Sequence, residues 1–528
     1  MPIPQPISER ATLFCSMFRA LLLLLLPYAL LAQPDLKSVR FQLKPNFSEQ
    51  SIDCAVDQLW QSQEGDSVIT FLLYPNWNIE QLLVNNTPAH FYRKGDSLFV
   101  AIPKNTSQHR IYFHYSGKPQ AAQNPPWDGG FIWRKDANNK DWLTLACQDN
   151  GAQLWWPTPA QYNDEPDTAR ISCTYPAHLF FKSNGRLVFD HKDKKNHLRT
   201  STWEVISPIN PYNITLNIGD YVHLKEVLTR TDGTQLKLNY YPLRYNKDKA
   251  LAQFKQVKPM LNCYEKYFGN YPFTQDEYSV VETPYAGMEH QSAIAYGNGY
   301  VDGYNGSDYS GIGLPFDFIL IHETGHEWWG NSVSARNKRD FWLQEAFCTY
   351  AEYVYVYERF GKVKAEAYID GKKRLVSNKA PILSDGETGI DMYSKGALML
   401  HTLQQFASSD EEWFRILKEF ALAFRWKSIS TEELENWFSQ KLPGVEPIFF
   451  EQYLSLANPP QLEITQRNGM ISFRITNALQ HFRLPLYWIA ENGKRMRIDA
   501  TANLQTISNQ GAGLKPDSNA SYFQLKTN

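Results

Sequence analysis

Cysteine, surplus charge and long apolar runs are all scarce in this sequence. Six cysteines in 528 residues show no C-x-x-C spacing, which excludes a dense disulfide framework. Lys and Arg number 53 against 55 Asp and Glu, a net charge of −2. No basic surplus points to nucleic acid, and no acidic tail is present. Apart from the N-terminus, no stretch is apolar enough to span a bilayer. Internal repeats and low-complexity segments are also missing, so a repeat architecture is excluded. Aromatic residues are plentiful, at 14% of the chain, enough to bury a large core.

The N-terminus reads as an export signal. Arg10 and Arg19 precede an apolar run from Ala20 to Ala32, about half the length of a membrane-spanning helix, and small Ala32 offers a cleavage point. The expectation is a signal over residues 1–32, cleavage near Gln33, and a periplasmic or extracellular protein. An uncleaved anchor is the rival. Cys15 falls in this segment. Of the other five, Cys54, Cys147, Cys173, Cys263 and Cys348, the last is read as a buried free thiol.

The mature chain divides by pattern. Residues 33–222 alternate in the manner of β-strands, with Ser67–Tyr74, Ser97–Ile102 and Arg110–Tyr115 rich in branched and aromatic residues. Residues 223–457 mix strands (Leu236–Tyr241, Tyr278–Glu282) with helices near 251–268, 341–360, 395–406, 411–424 and 431–441. The last begins with a capping box, Ser430 and Glu433. Residues 458–528 return to β, and Asn468-Gly469 and Asn492-Gly493 predict type I′ hairpin turns. The expected fold is a multidomain α+β protein. It comprises an N-terminal β domain, a mixed α/β catalytic domain and a small C-terminal β-sandwich.

One stretch organises the rest, His322-Glu323-Thr324-Gly325-His326. On a helix, positions i and i+4 share a face, so both imidazoles turn toward one metal ion, with Glu323 beside them to work on water. Pro315 marks where the helix starts and Gly330-Asn331 where it stops. Glu345 follows in an apolar helix, where an unpaired carboxylate is costly. Two imidazoles and one carboxylate suit Zn²⁺ and leave a fourth position open, as catalysis requires. Glu352, two turns after Glu345, is either the partner of a ligating histidine or an ordinary surface glutamate. Between Tyr296 and Gly313 lies a loop rich in Gly, Asn and Asp that fits neither phosphate-binding fingerprint; it reads as mobile or substrate-facing.

Together these residues resemble the M1 family of zinc aminopeptidases, in the gluzincin group that includes aminopeptidase N. The segment from His322 to Asn331, with Glu345 at the family spacing, is similar to the zinc motif. Ala286-Gly287-Met288-Glu289-His290 resembles the family's G-x-M-E-N. Tyr393-Ser394-Lys395-Gly396 resembles its tyrosine segment and Asp164-Glu165-Pro166 a landmark of its N-terminal domain. The resemblance implies a thermolysin-like catalytic domain and one zinc held by His322, His326 and Glu345. It implies Glu323 as general base and Tyr393 as stabiliser of the oxyanion. It also implies that Glu289 pairs with a free N-terminal ammonium, beside Ala286, Gly287, Met288 and Gln148, on peptide substrates. The departures are Ala286 for Gly and His290 for Asn; His290 is expected to titrate near neutral pH and alter substrate preference. The long helical C-terminal region of many members has no counterpart here. An endopeptidase, an epoxide hydrolase and a non-catalytic binding protein are the alternatives.

Overall fold

A computed structural model describes residues 34–148, 151–162, 164–308, 313, 315–383, 389–509 and 513–527. The expected export segment and Cys15 lie outside them. Among the described residues no helix is long and apolar enough to cross a membrane.

The first part is β throughout. Strand Ser51–Gln61 buries every second side chain, the period that places one face of a strand on a core. It pairs with Asp35–Asn46 and Gln108–Gly117 at the centre of an eight-stranded sheet. Two four-stranded sheets complete this part. Its core centres on Trp60, Phe71, Phe113, Trp155 and Trp156, and it also takes in Tyr285 and Met288 from beyond residue 280. The two parts therefore meet through packed apolar side chains next to the stretch expected to hold substrate.

The second part has a five-stranded sheet in the order Leu224–Thr229, Gln235–Tyr241, Tyr278–Glu282, Ile294–Tyr296, Gly287–Met288. The last strand is an edge. Beside it run the motif helix, Phe318–Gly325, and the longer glutamate helix, Trp342–Phe360. Helix Lys362–Lys372 follows, and then the tyrosine helix, Asp391–Gln404. The helix expected near residue 395 starts at Asp391, which puts Tyr393 within its first turn. The capping box at Ser430 and Glu433 is present and opens helix Thr431–Lys441.

Three local expectations differ. The motif helix is capped by Asp317, not started by Pro315: the Asp317 carboxylate accepts from the Leu320 amide at 3.1 Å. Its regular part ends at Gly325, although His326 keeps right-handed geometry. Asn468 and Gly469 both take positive φ, as a type I′ turn demands, but at Asn492-Gly493 only Gly493 does. There the Gly493 amide donates to Ala490 and the Ala490 amide to Lys494, a three-residue loop.

The C-terminal strands form a four-stranded and a three-stranded sheet, with Phe473 and Trp488 meeting between them at 4.9 Å. They share one continuous core with the helices, from Leu228 to Phe523. Cys54, Cys147, Cys173, Cys263 and Cys348 are all buried and free.

Candidate metal and substrate site

The motif helix, glutamate helix and tyrosine helix enclose a cavity of about 230 Å³, with the edge strand along one wall. His322 and His326 lie one turn apart, ring centroids 5.0 Å from each other. Each ring is fixed through Nδ1. That of His322 lies 2.7 Å from Glu352 Oε1, and that of His326 lies 2.9 Å from the Trp329 carbonyl. Acceptors at both Nδ1 atoms select the tautomer that leaves the Nε2 lone pairs free. Both Nε2 atoms lie 3.5 Å from one atom, Glu345 Oε2. That oxygen is buried and accepts no hydrogen bond. A buried carboxylate oxygen facing two imidazole nitrogens suits a cation, and this donor set fits zinc. Burial opposes the charge on Glu345, but the His326 and His322 rings, where they carry a proton, outweigh it and hold the carboxyl below the usual carboxylate range.

Cys348 also has its sulfur within reach of the two histidines. The thiol donates to the His322 backbone carbonyl, lies against Gly325 and is absent from the cavity wall. It sits behind the helix, as the buried thiol expected there.

Glu323 faces the same cavity. Burial raises its carboxyl to about 7, Glu289 and Glu345 add to that, and the two histidines pull it back. Glu289 is 2% exposed, and its carboxylate accepts from the Tyr212 hydroxyl at 3.2 Å. Its backbone carbonyl accepts from Asn331 at 2.9 Å, so the residue is anchored beside the metal ligands. Burial, with Glu345 nearby, raises its carboxyl as well, against the pull of His326. Gly287 pairs with Tyr296 and Met288 with Ala295. As the outermost strand, Gly287–Met288 keeps its other edge free toward the cavity. Ala286 leads into it, with its carbonyl accepting from Gly297.

Tyr393 reaches in from the tyrosine helix, its ring 6.0 Å from that of His322. Burial and the carboxylates of Glu345, Glu289 and Glu323 push its hydroxyl well above the ordinary range, so it stays a donor. Gln148 lines the cavity and hydrogen-bonds Tyr393. The tyrosine helix crosses the glutamate helix closely at Gly396, where a Cβ would stand 2.5 Å from that of Ala346. Lys395 is not in the site. Its ammonium caps the Leu456 and Ala457 carbonyls at 2.6 and 2.9 Å.

His290 is a correction. It is fully buried, off the cavity wall, and burial drives its imidazole down to about 3. Glu289 lines the cavity and its neighbour His290 does not. It stays neutral near pH 7.

Glu352 settles on the metal side. It is fully buried, and its second oxygen accepts from Tyr368 and Lys372, both at 2.6 Å. Lys372 and Tyr304 line the cavity without having been singled out in the sequence; Tyr304 comes from the loop read as mobile or substrate-facing. Asp164 and Glu165 are remote from it. Asp164 accepts from the Leu36 amide within the first part, and Glu165 ties the two parts together by accepting from the Ser334 hydroxyl at 2.7 Å.

Residues 252–452 match the model of the peptidase family M1 domain. The chain is 24% identical over 306 residues to endoplasmic reticulum aminopeptidase 1 of Mus musculus, covering 52% of this chain and 32% of that protein. It is 21% identical over 342 residues to probable aminopeptidase 1 of Sulfurisphaera tokodaii, covering 60% and 42%. The chain thus spans about a third of the length of the first curated relatives it matches. Among solved structures, an M1 zinc metallopeptidase from Deinococcus radiodurans superposes with a TM-score of 0.66 at 19% identity. That alignment covers 81% of this chain and 96% of the other. Another structure of an M1 zinc metallopeptidase from that organism, with a Tyr-Ser-Ala substrate, gives 0.67 at 18%, covering 80% and 94%.

Proposed function

Because the chain carries a peptidase family M1 domain over residues 252–452, we propose that it is a zinc-dependent aminopeptidase that removes the first residue of peptides. The observation that carries this reading is the unpaired Glu345 oxygen facing two imidazole nitrogens in the cavity that also holds Glu289. The Tyr-Ser-Ala substrate bound by the similar metallopeptidase supports a peptide as the ligand class.

His322, His326 and Glu345 hold one zinc. When bound, zinc supplies Lewis acidity that lets water ionise near neutral pH and polarises a carbonyl. Glu323 takes the water proton and passes one to the leaving amine. Tyr393 donates its hydroxyl to the developing oxyanion, a contribution of about 3–4 kcal/mol per donor where such groups have been removed.

Glu289 pairs with the N-terminal ammonium, a charge-assisted contact. The free edge of Gly287–Met288 takes the substrate backbone as an added strand. These two contacts place only the first peptide bond at the metal, which makes the enzyme an exopeptidase. With residues 1–32 as an export signal, it works in the periplasm or the extracellular space.

The test is hydrolysis of aminoacyl-arylamides, each beside its N-acetylated twin, with and without a chelator. Cleavage of the free-amine forms alone, abolished by chelation and restored by zinc, is the expected result. Cleavage of both forms would remove Glu289 as an anchor and favour an endopeptidase. No cleavage by zinc-loaded protein would sink the enzyme reading for these substrates.

A further inference from the structure

We propose that Lys372 is a positioning residue of the metal site, acting on His322 through Glu352. The inference rests on the zinc reading of that site. Lys372 ends helix Lys362–Lys372 and is 2% exposed. Its ammonium lies 2.6 Å from Glu352 Oε2, and Tyr368, one turn earlier on the same face, donates to that oxygen as well. Glu352 Oε1 is thereby aimed at His322 Nδ1, 2.7 Å away. A second contact runs by another path. The ammonium stands over the Phe318 ring at 5.1 Å, and Phe318 stacks on the His322 ring at 5.5 Å and 17°. Lys372 thus holds both the partner of the imidazole and the ring that flanks it.

Charge gives the lysine its place. Four glutamates line the cavity: Glu289, Glu323, Glu345 and Glu352. Lys372 is the one Lys or Arg among the described lining residues. A divalent zinc answers two of the carboxylates and the substrate ammonium answers Glu289. Glu352 remains, and a buried carboxylate without a counter-charge is costly. Lys372 supplies that charge from the far side, leaving the near oxygen to His322.

The experiment is zinc affinity, measured by competition with a chromophoric chelator. It compares the wild type with Lys372→Met, Lys372→Gln, Lys372→Arg, Glu352→Gln and the double variant of Lys372→Met with Glu352→Gln. Circular dichroism and apo-protein melting serve as folding controls. Outer-shell partners of metal ligands are worth about 10- to 100-fold in affinity. Lys372→Met and Lys372→Gln are expected to lose affinity in that range, with most of it regained in Lys372→Arg. The double variant is expected to bind no worse than Glu352→Gln alone, because the lysine acts through the glutamate. Wild-type affinity in either neutral variant overturns the proposal, as does multiplication of the two losses in the double variant. Lys372→Gln keeps a donor and a similar length, so it decides the matter if Lys372→Met does not fold. The readout is independent of turnover. A wild type that binds zinc but cleaves no peptide would count against the aminopeptidase reading and leave these affinities to be judged by themselves.

Discussion

A methyl group on Gly287 would stand 2.8 Å from Cδ of Glu323. Backbone and carboxylate are in contact, so the edge strand meant to carry substrate and the base meant to act on it are set against each other. Gly287→Ala is expected to displace Glu323 and cut kcat/KM by about 100-fold, the typical cost of misplacing a reacting group by ~1 Å. Zinc content, measured by metal analysis, should be unchanged, because neither Gly287 nor Glu323 is among the proposed ligands. Near-normal kcat/KM would show that the carboxylate has room to move.

Glu323→Gln keeps the size of the side chain and removes its basicity. Retained zinc, an unchanged melting temperature and a loss of about 10²- to 10⁴-fold in kcat are expected, the range for general acid–base groups. Paired metal analysis and kinetics on the same preparation check it. Loss of zinc along with activity would mean that Glu323 helps to bind the metal.

Glu289→Ala removes the ammonium partner. A hydrogen bond to a charged group is worth about 1.5–3 kcal/mol, so kcat/KM on free-amine substrates should fall by roughly 10- to 200-fold. Zinc content and melting temperature should be unchanged. Loss of zinc or of the fold along with activity would assign Glu289 a structural role.

His290 makes stability depend on pH. Its imidazole is depressed from the usual 6.5 to about 3, so the unfolded chain binds a proton between those values and the folded protein does not. The contribution of His290 to stability is therefore full above pH 6.5 and falls as the pH drops below it, by about 1.4 kcal/mol per unit. His290→Asn is expected to lose less melting temperature than the wild type between pH 7.5 and pH 5. Parallel melting curves across that range would rule out a buried neutral histidine.

Much of this site was legible because it is local. His322 and His326 are one turn apart, and Glu345 and Glu352 are two turns apart on one helix, so helical periodicity places each pair, while the apolar surroundings of Glu345 and the family spacing join it to the histidines. Glu289 and Tyr393 came from other elements, and only resemblance to a family brought them in. His290 enters only as the last position of the segment that resembles the family motif, and its burial off the cavity wall depends on packing that no local spacing encodes. Lys372 was illegible, since 20 residues and a helix break at Gly361 separate it from Glu352 and no spacing rule spans such a break. Asp317 was passed over for Pro315. Its capping role depends on Asn298, Tyr296 and Gln253, which hold its carboxylate from elsewhere in the chain.

The core that runs unbroken from the catalytic helices into the C-terminal sheets bears on how such a protein can vary over generations. The Tyr522 amide donates to Thr402, and the Asn519 carbonyl faces His401, both on the helix that carries Tyr393. A gene cut after Leu454 would not shed a module; it would strip the backing from the tyrosine helix. Recombination that keeps Tyr393 in place must therefore inherit these last strands with it, or replace them with something that fills the same wall.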